Sequence, residues 1–126
     1  MRGVIAALIV AAAIVGGSFV YTNKMNKISE GLAEINNSIT EKIKSEEYAA
    51  AMDSIEDLRR AVDENRMFLT ATCNHTRVDE IEKGLSELIG FASEEEKSEA
   101  YARCRSLGVL IGNLPRDNRI SLENIL

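Results

Sequence analysis

Apolar positions follow two regimes along this chain. From Gly3 to Tyr21 the run GVIAALIVAAAIVGGSFVY carries no charge, and after it apolar residues recur every three or four positions among acidic and basic ones. A helix of those 19 residues spans roughly 28 Å at about 1.5 Å per residue, close to the hydrocarbon thickness of a bilayer. Residues 1–21 therefore read as a transmembrane anchor or uncleaved signal sequence, and residues 22–126 as one helical extracytoplasmic domain.

A cleaved signal peptide is the competing reading. Arg2 would be its charged start, Val4 to Val15 its apolar stretch, and Val15-Gly16-Gly17 a small-residue cleavage site before Ser18. Against it, the apolar pattern continues through Phe19, Val20 and Tyr21, and Tyr21 suits the membrane interface. Arg2 and the terminal amine stand against Lys24 and Lys27 across the run, nearly a tie in charge. A short N-terminal tail before a folded domain is the form of a signal anchor, which places the domain outside the cytoplasm. Ala12 with Gly16 and Ala13 with Gly17 would admit another transmembrane helix closely, although alanine-rich anchors produce such pairs unselected.

Beyond the anchor, Ile28, Leu32, Ile35, Ile39 and Ile43 mark one face of a first helix that continues out of the membrane. Tyr48, Met52, Ile55, Leu58, Val62, Leu69 and Cys73 mark a second, from an N-cap at Ser45 to about Cys73. Thr76 and Asp79 cap a third, with Val78, Ile81, Leu85 and Leu88 on its apolar face and Gly90 as its stop. Ser93 and Glu96 form a capping box for a fourth through Ala100, Cys104, Leu107 and Ile111, ended by Gly112 and Pro115. The tail, with Ile120, Leu122, Ile125 and Leu126, is apolar enough to dock on the bundle.

A repeat at an offset of 53 residues pairs Ile28, Gly31, Leu32, Glu34 and Glu41 with Ile81, Gly84, Leu85, Glu87 and Glu94. It goes on to pair Lys44, Ser45, Glu46, Tyr48 and Ala49 with Lys97, Ser98, Glu99, Tyr101 and Ala102. Duplication of a helical hairpin and convergence of two amphipathic stretches explain it equally well. Both give an all-α fold, an N-terminal transmembrane helix followed by an antiparallel bundle of about four helices. The absence of Trp, the single Pro115 and the wealth of Ala, Leu, Ile, Glu and Lys agree with that class.

Charge narrows the partners. Outside the anchor, 14 basic residues face 20 acidic ones, interspersed along every segment. Nucleic acid is thereby excluded as an expected partner, because no basic face exists to release counterions from phosphate.

Cys73 and Cys104 are the only cysteines. Folding the second to fourth helices as hairpins brings the two to similar heights, which leaves a disulfide, a reduced pair buried as small apolar residues, and a metal or redox role as alternatives. His75 could add a third soft ligand for zinc or copper, but Cys-x-His is not a familiar spacing for a structural site and His75 reads more simply as a turn residue. No catalytic, cofactor or metal residues are assigned. The acidic residues fall on solvated faces, as at Glu94, Glu95 and Glu96, and no nucleophile elbow or phosphate loop occurs. The chain is expected not to be an enzyme.

The anchor, the segment Asn74-His75-Thr76-Arg77-Val78-Asp79-Glu80-Ile81 and the closing Ser121-Leu122-Glu123-Asn124-Ile125-Leu126 together resemble a family of small membrane-anchored helical bacterial proteins of unknown function. That family belongs mostly to Gram-positive, often spore-forming hosts and is sometimes encoded beside polytopic membrane proteins, which implies a membrane or envelope protein as partner. Its members carry a Trp in the second helix, where this chain has Arg59 to Met67. The resemblance transfers no catalytic role. The expected function is a single-pass protein-interaction or structural module of the bacterial envelope, with homo-oligomerisation open. A small-ligand sensor is the alternative, or metal binding through Cys73, His75 and Cys104.

Overall fold

Buried positions alternate in steps of four and three residues, and that spacing builds the bundle. The computed structural model describes residues 1–72 and 75–116. Five helices run in order: α1 (Arg2–Lys44), α2 (Tyr48–Glu64), α3 (Arg66–Thr72), α4 (His75–Ser93) and α5 (Lys97–Gly112). On α1 the buried residues are Met25, Ser29, Leu32, Asn36, Ile39 and Ile43; on α4, Val78, Ile81, Leu85, Leu88 and Ala92; on α5, Ala100, Cys104, Leu107 and Ile111. A seven-residue repeat of this kind keeps one seam of each helix facing its neighbours with knobs-into-holes packing.

Cross-helix contacts give the topology. Lys42 donates to Ser54 between α1 and α2, Arg66 pairs with Glu82 between α3 and α4, and Arg103 pairs with Glu87 between α5 and α4 at 2.7 Å. Ser29 Oγ donates to the Ile111 carbonyl at 2.8 Å between α1 and α5. Each contact joins residues running in opposite directions, so the four legs, with α3 prolonging α2, form an antiparallel ring in the order α1, α2, α4, α5. Gly84 allows the closest approach: a Cβ there would meet the Leu107 side chain at 2.8 Å.

α1 runs from an exposed apolar half into the bundle without a break. Its first half projects past the bundle with every residue from Arg2 to Gly17 exposed, and burial begins in earnest at Met25. The projecting part is long and apolar enough to cross a membrane, with a mean hydropathy of 2.4 in its best window. The transition predicted near residue 21 thus lies within one helix, not at a linker.

Several expected boundaries move. The second leg breaks at Asn65, whose side chain donates to the Ala61 carbonyl at 2.8 Å while Leu69 N–H restarts the ladder on Asn65 O. Ser45 is the C-cap of α1 and not the N-cap of α2; the residues before α2 and α5 are Glu47 and Glu96, neither making a side-chain cap bond. Thr76 stands inside the first turn of α4. Gly90 does not stop α4, which runs to Ser93, and Ser93 Oγ bonds back to the Gly90 carbonyl, so the expected capping box does not form.

The distal turns explain these shifts. Glu46 and Glu95 both take positive φ, 59° and 56°. Around the first, Glu47 N–H reaches Lys42 O and Glu46 N–H reaches Ile43 O; around the second, Glu96 reaches Phe91 O and Glu95 reaches Ala92 O. Each is a Schellman C-cap with glutamate in the place glycine usually takes. The two hairpins therefore correspond at an offset of 49, not 53: Leu32 with Ile81, Ile39 with Leu88, Ala51 with Ala100, Ile55 with Cys104 and Leu58 with Leu107 are all buried pairs. The sequence matches at 53 set the first turn against the interior of α5. A slip of four residues, about one helical turn, preserves the apolar face, which is why an amphipathic pattern shows it.

Candidate functional site

The only sequence-assigned candidates were the cysteines, with His75 as an alternative ligand. Cys73 lies outside the described residues. Cys104 is buried on α5, its carbonyl accepting from Asn36 Nδ2 at 2.9 Å. Burial pushes its thiol pKa up, and its hydrogen bond with Thr40 opposes that. His75 opens α4 as an exposed residue, whereas Cys104 stands level with Glu87, twelve positions further along that helix or about 18 Å. His75 and Cys104 are therefore not brought together. Among the described residues no group of three or more His, Cys, Asp or Glu could hold a metal ion.

Sequence reasoning missed a polar line along the α1–α5 seam. Ser29 and Asn36, both buried, donate to α5 carbonyls, and Thr40 Oγ1 bonds the Asn36 carbonyl at 2.8 Å. Among the described residues Asn36 Oδ1 finds no hydrogen-bond partner. Asn36-Asn37-Ser38 matches a glycosylation acceptor pattern, but the bonded, buried amide of Asn36 is turned away from any such use. The signal was available: Ser29 and Asn36 fall on the seven-residue repeat with Met25, Leu32, Ile39 and Ile43, whereas Ile28 and Ile35 are only partly buried.

The groove between α2 and α4 is the concave feature best placed to receive something. It has a volume of about 270 Å³, with Val62, Leu85 and Ile89 at its floor and Arg59, Arg66, Glu82 and Ser86 among its rim. Its charges are neutralised within the chain. Arg59 pairs with Glu56, and Arg66 with Asp63 at 2.8 Å and with Glu82. The hydrogen bond from Arg59 holds Glu56 below the usual carboxylate range, and hydrogen bonds to Asp63 and Glu82 hold Arg66 more firmly charged.

The two ends of the bundle differ. At the distal end Glu41, Glu46, Glu47, Glu94, Glu95 and Glu96 gather around the turns, answered by Lys44 and Lys97. Lys97 pairs with Glu46 at 3.9 Å and Lys44 lies over the Tyr101 ring at 5.5 Å, tying one hairpin to the other. Burial, then Glu46 and Glu95, push the Tyr48 phenol up. At the anchor end, Phe68 of α3 meets the Tyr21 ring at 5.1 Å and lies beneath Lys24 at 4.6 Å. Next to it Met67 is 87 % exposed.

Comparison with known proteins adds one finding. A family described as a domain of unknown function (DUF4363) matches residues 19–125. No curated protein and no solved structure matches the chain.

Proposed function

We propose that this chain, which belongs to the DUF4363 family of domains of unknown function, is a non-enzymatic, single-pass binding module whose bundle holds the α2–α4 groove at a fixed attitude to the membrane. The observation that carries this reading is the continuity of α1, an exposed apolar helix at one end and a leg of the bundle core at the other. A helix without a hinge fixes the height and rotation of everything packed on it. Such a scaffold suits recognition of a neighbouring membrane or envelope protein better than capture of a diffusing substrate.

The groove supports a protein partner over a small ligand. Its volume lies just below the usual range for ligand pockets, about 300–1,000 Å³, and its rim is ion-paired and open to water. Apolar residues framed by satisfied charges are the anatomy of a modest protein interface. In this proposal the bundle lies on the extracytoplasmic side.

The test is photo-crosslinking in the native membrane, with benzoylphenylalanine in place of Ser86 in the groove and, separately, of Ser38 on the outer face of α1. Partner recognition through the groove predicts a discrete adduct from position 86 and none from 38. Equal, diffuse adducts from both positions would remove the groove from the proposal.

A further inference from the structure

The end of the bundle nearest the apolar run carries the exposed Met67 beside Phe68, an aromatic side chain only partly buried against the core. Antiparallel packing returns α3 to the foot of α1, so that Phe68 meets Tyr21, the last residue of the apolar run, in a tilted ring contact, with Lys24 over the Phe68 ring. Met67, one position earlier, is almost fully exposed. We propose that this foot is a second membrane contact: α3 rests on the bilayer that α1 crosses, with Met67 and Phe68 in the interfacial layer beside Tyr21.

This inference rests on the transmembrane reading of residues 3–21 and adds where the bundle lies relative to the lipid. Three observations select lipid as the occupant. First, the contact is continuous with the membrane-crossing surface, because α1 passes from exposed apolar residues to Tyr21 and Lys24 with no intervening loop. Phe68 is therefore held at the height where the apolar run ends, where aromatic rings favour the headgroup boundary.

Second, the residues are of the interfacial kind: two aromatic rings, a flexible Met, and a lysine whose ammonium lies over the Phe68 ring. Third, the charge of the bundle is polarised along its axis. The glutamate cluster lies at the distal turns. The foot carries Lys24, Arg77 and Arg116 against Asp79 and Glu80, with His75 beside them. An anionic bilayer surface would repel the first end and tolerate the second.

The chain contains no Trp, so a single introduced Trp reports its own depth without background. Four full-length variants, Val10→Trp, Met67→Trp, Ala71→Trp and Ala49→Trp, are reconstituted in phosphatidylcholine and phosphatidylglycerol vesicles with and without brominated acyl chains. Ala49 is exposed at the distal end and is as free as Met67 to seek lipid if the bundle were loosely tethered. A foot seated on the bilayer predicts loss of most emission from Val10→Trp, substantial quenching with a blue shift from Met67→Trp or Ala71→Trp, and no quenching from Ala49→Trp. Quenching at position 10 with positions 67 and 71 behaving like 49 overturns the inference and leaves the anchor standing. No quenching at position 10 overturns the anchor and the inference together.

Discussion

Replacing Asn36 by leucine is expected to stabilise the bundle, although it deletes a buried hydrogen bond. Asn36 Nδ2 donates to the Cys104 carbonyl, but Oδ1 is buried with no partner among the described residues. The deleted bond contributes about 1 kcal/mol net, while an unsatisfied buried polar atom costs about 1–3 kcal/mol. Leucine restores apolar surface at a position whose counterpart in the second hairpin is already Leu85. The balance favours the variant by about 1–2 kcal/mol. In detergent micelles, urea titration of the full-length protein followed by circular dichroism should move the midpoint up by about 1 M, given slopes near 1–3 kcal/mol per M. Asn36→Asp should do the reverse at neutral pH, losing about 3 kcal/mol or more as a buried carboxylate faces a carbonyl oxygen, and should recover as acid neutralises it. A lower midpoint for Asn36→Leu would refute the reasoning and show that the amide is fully satisfied.

Glu46→Gly and Glu95→Gly should each raise stability by about 1 kcal/mol in the same titration, since glycine adopts the left-handed cap without a Cβ clash. Leu107→Ala should cost about 2–5 kcal/mol, because Leu107 is fully buried with its side chain against Gly84. Cys104 should resist alkylation in the folded protein at neutral pH and react on denaturation, as mass spectrometry would show. Its raised pKa also sets a sign: the stabilisation is present below the pH at which an unfolded thiol ionises, and is lost as pH climbs from there through the folded value.

The helices were legible in the sequence because amphipathic periodicity survives any error in registering their ends. Boundaries were not, for a local reason. Gly90 reads as a stop, but it adopts no positive φ and α4 passes through it. The residues that do turn the chain are Glu46 and Glu95, a type that carries no left-handed signal, and tertiary packing of the hairpins fixes them there. The break at Asn65 is similarly made by an amide bonding a carbonyl four residues back, an option open to asparagine in many helices that do not break.

The functional surfaces were less legible than the core. Arg59, Arg66 and Glu82 look like ordinary solvated charges in sequence, and only the antiparallel return of α3 along α4 assembles them into a rim. The Tyr21–Phe68 contact joins residues 47 positions apart through that same return. Hydrophobicity alone ranked Ile28 and Ile35 above Ser29 and Asn36, so the polar seam went unread although its spacing was present.

The continuity of α1 from its exposed apolar half into the bundle is most directly tested by the distance between spin labels at Ile14 and Ser38, both exposed, in the full-length protein in lipid nanodiscs. One unbroken helix gives a single narrow distribution near 36 Å, about 1.5 Å for each of the intervening steps. A broad distribution centred well below that would place a hinge near residue 21 and contradict a bundle held rigidly on its anchor.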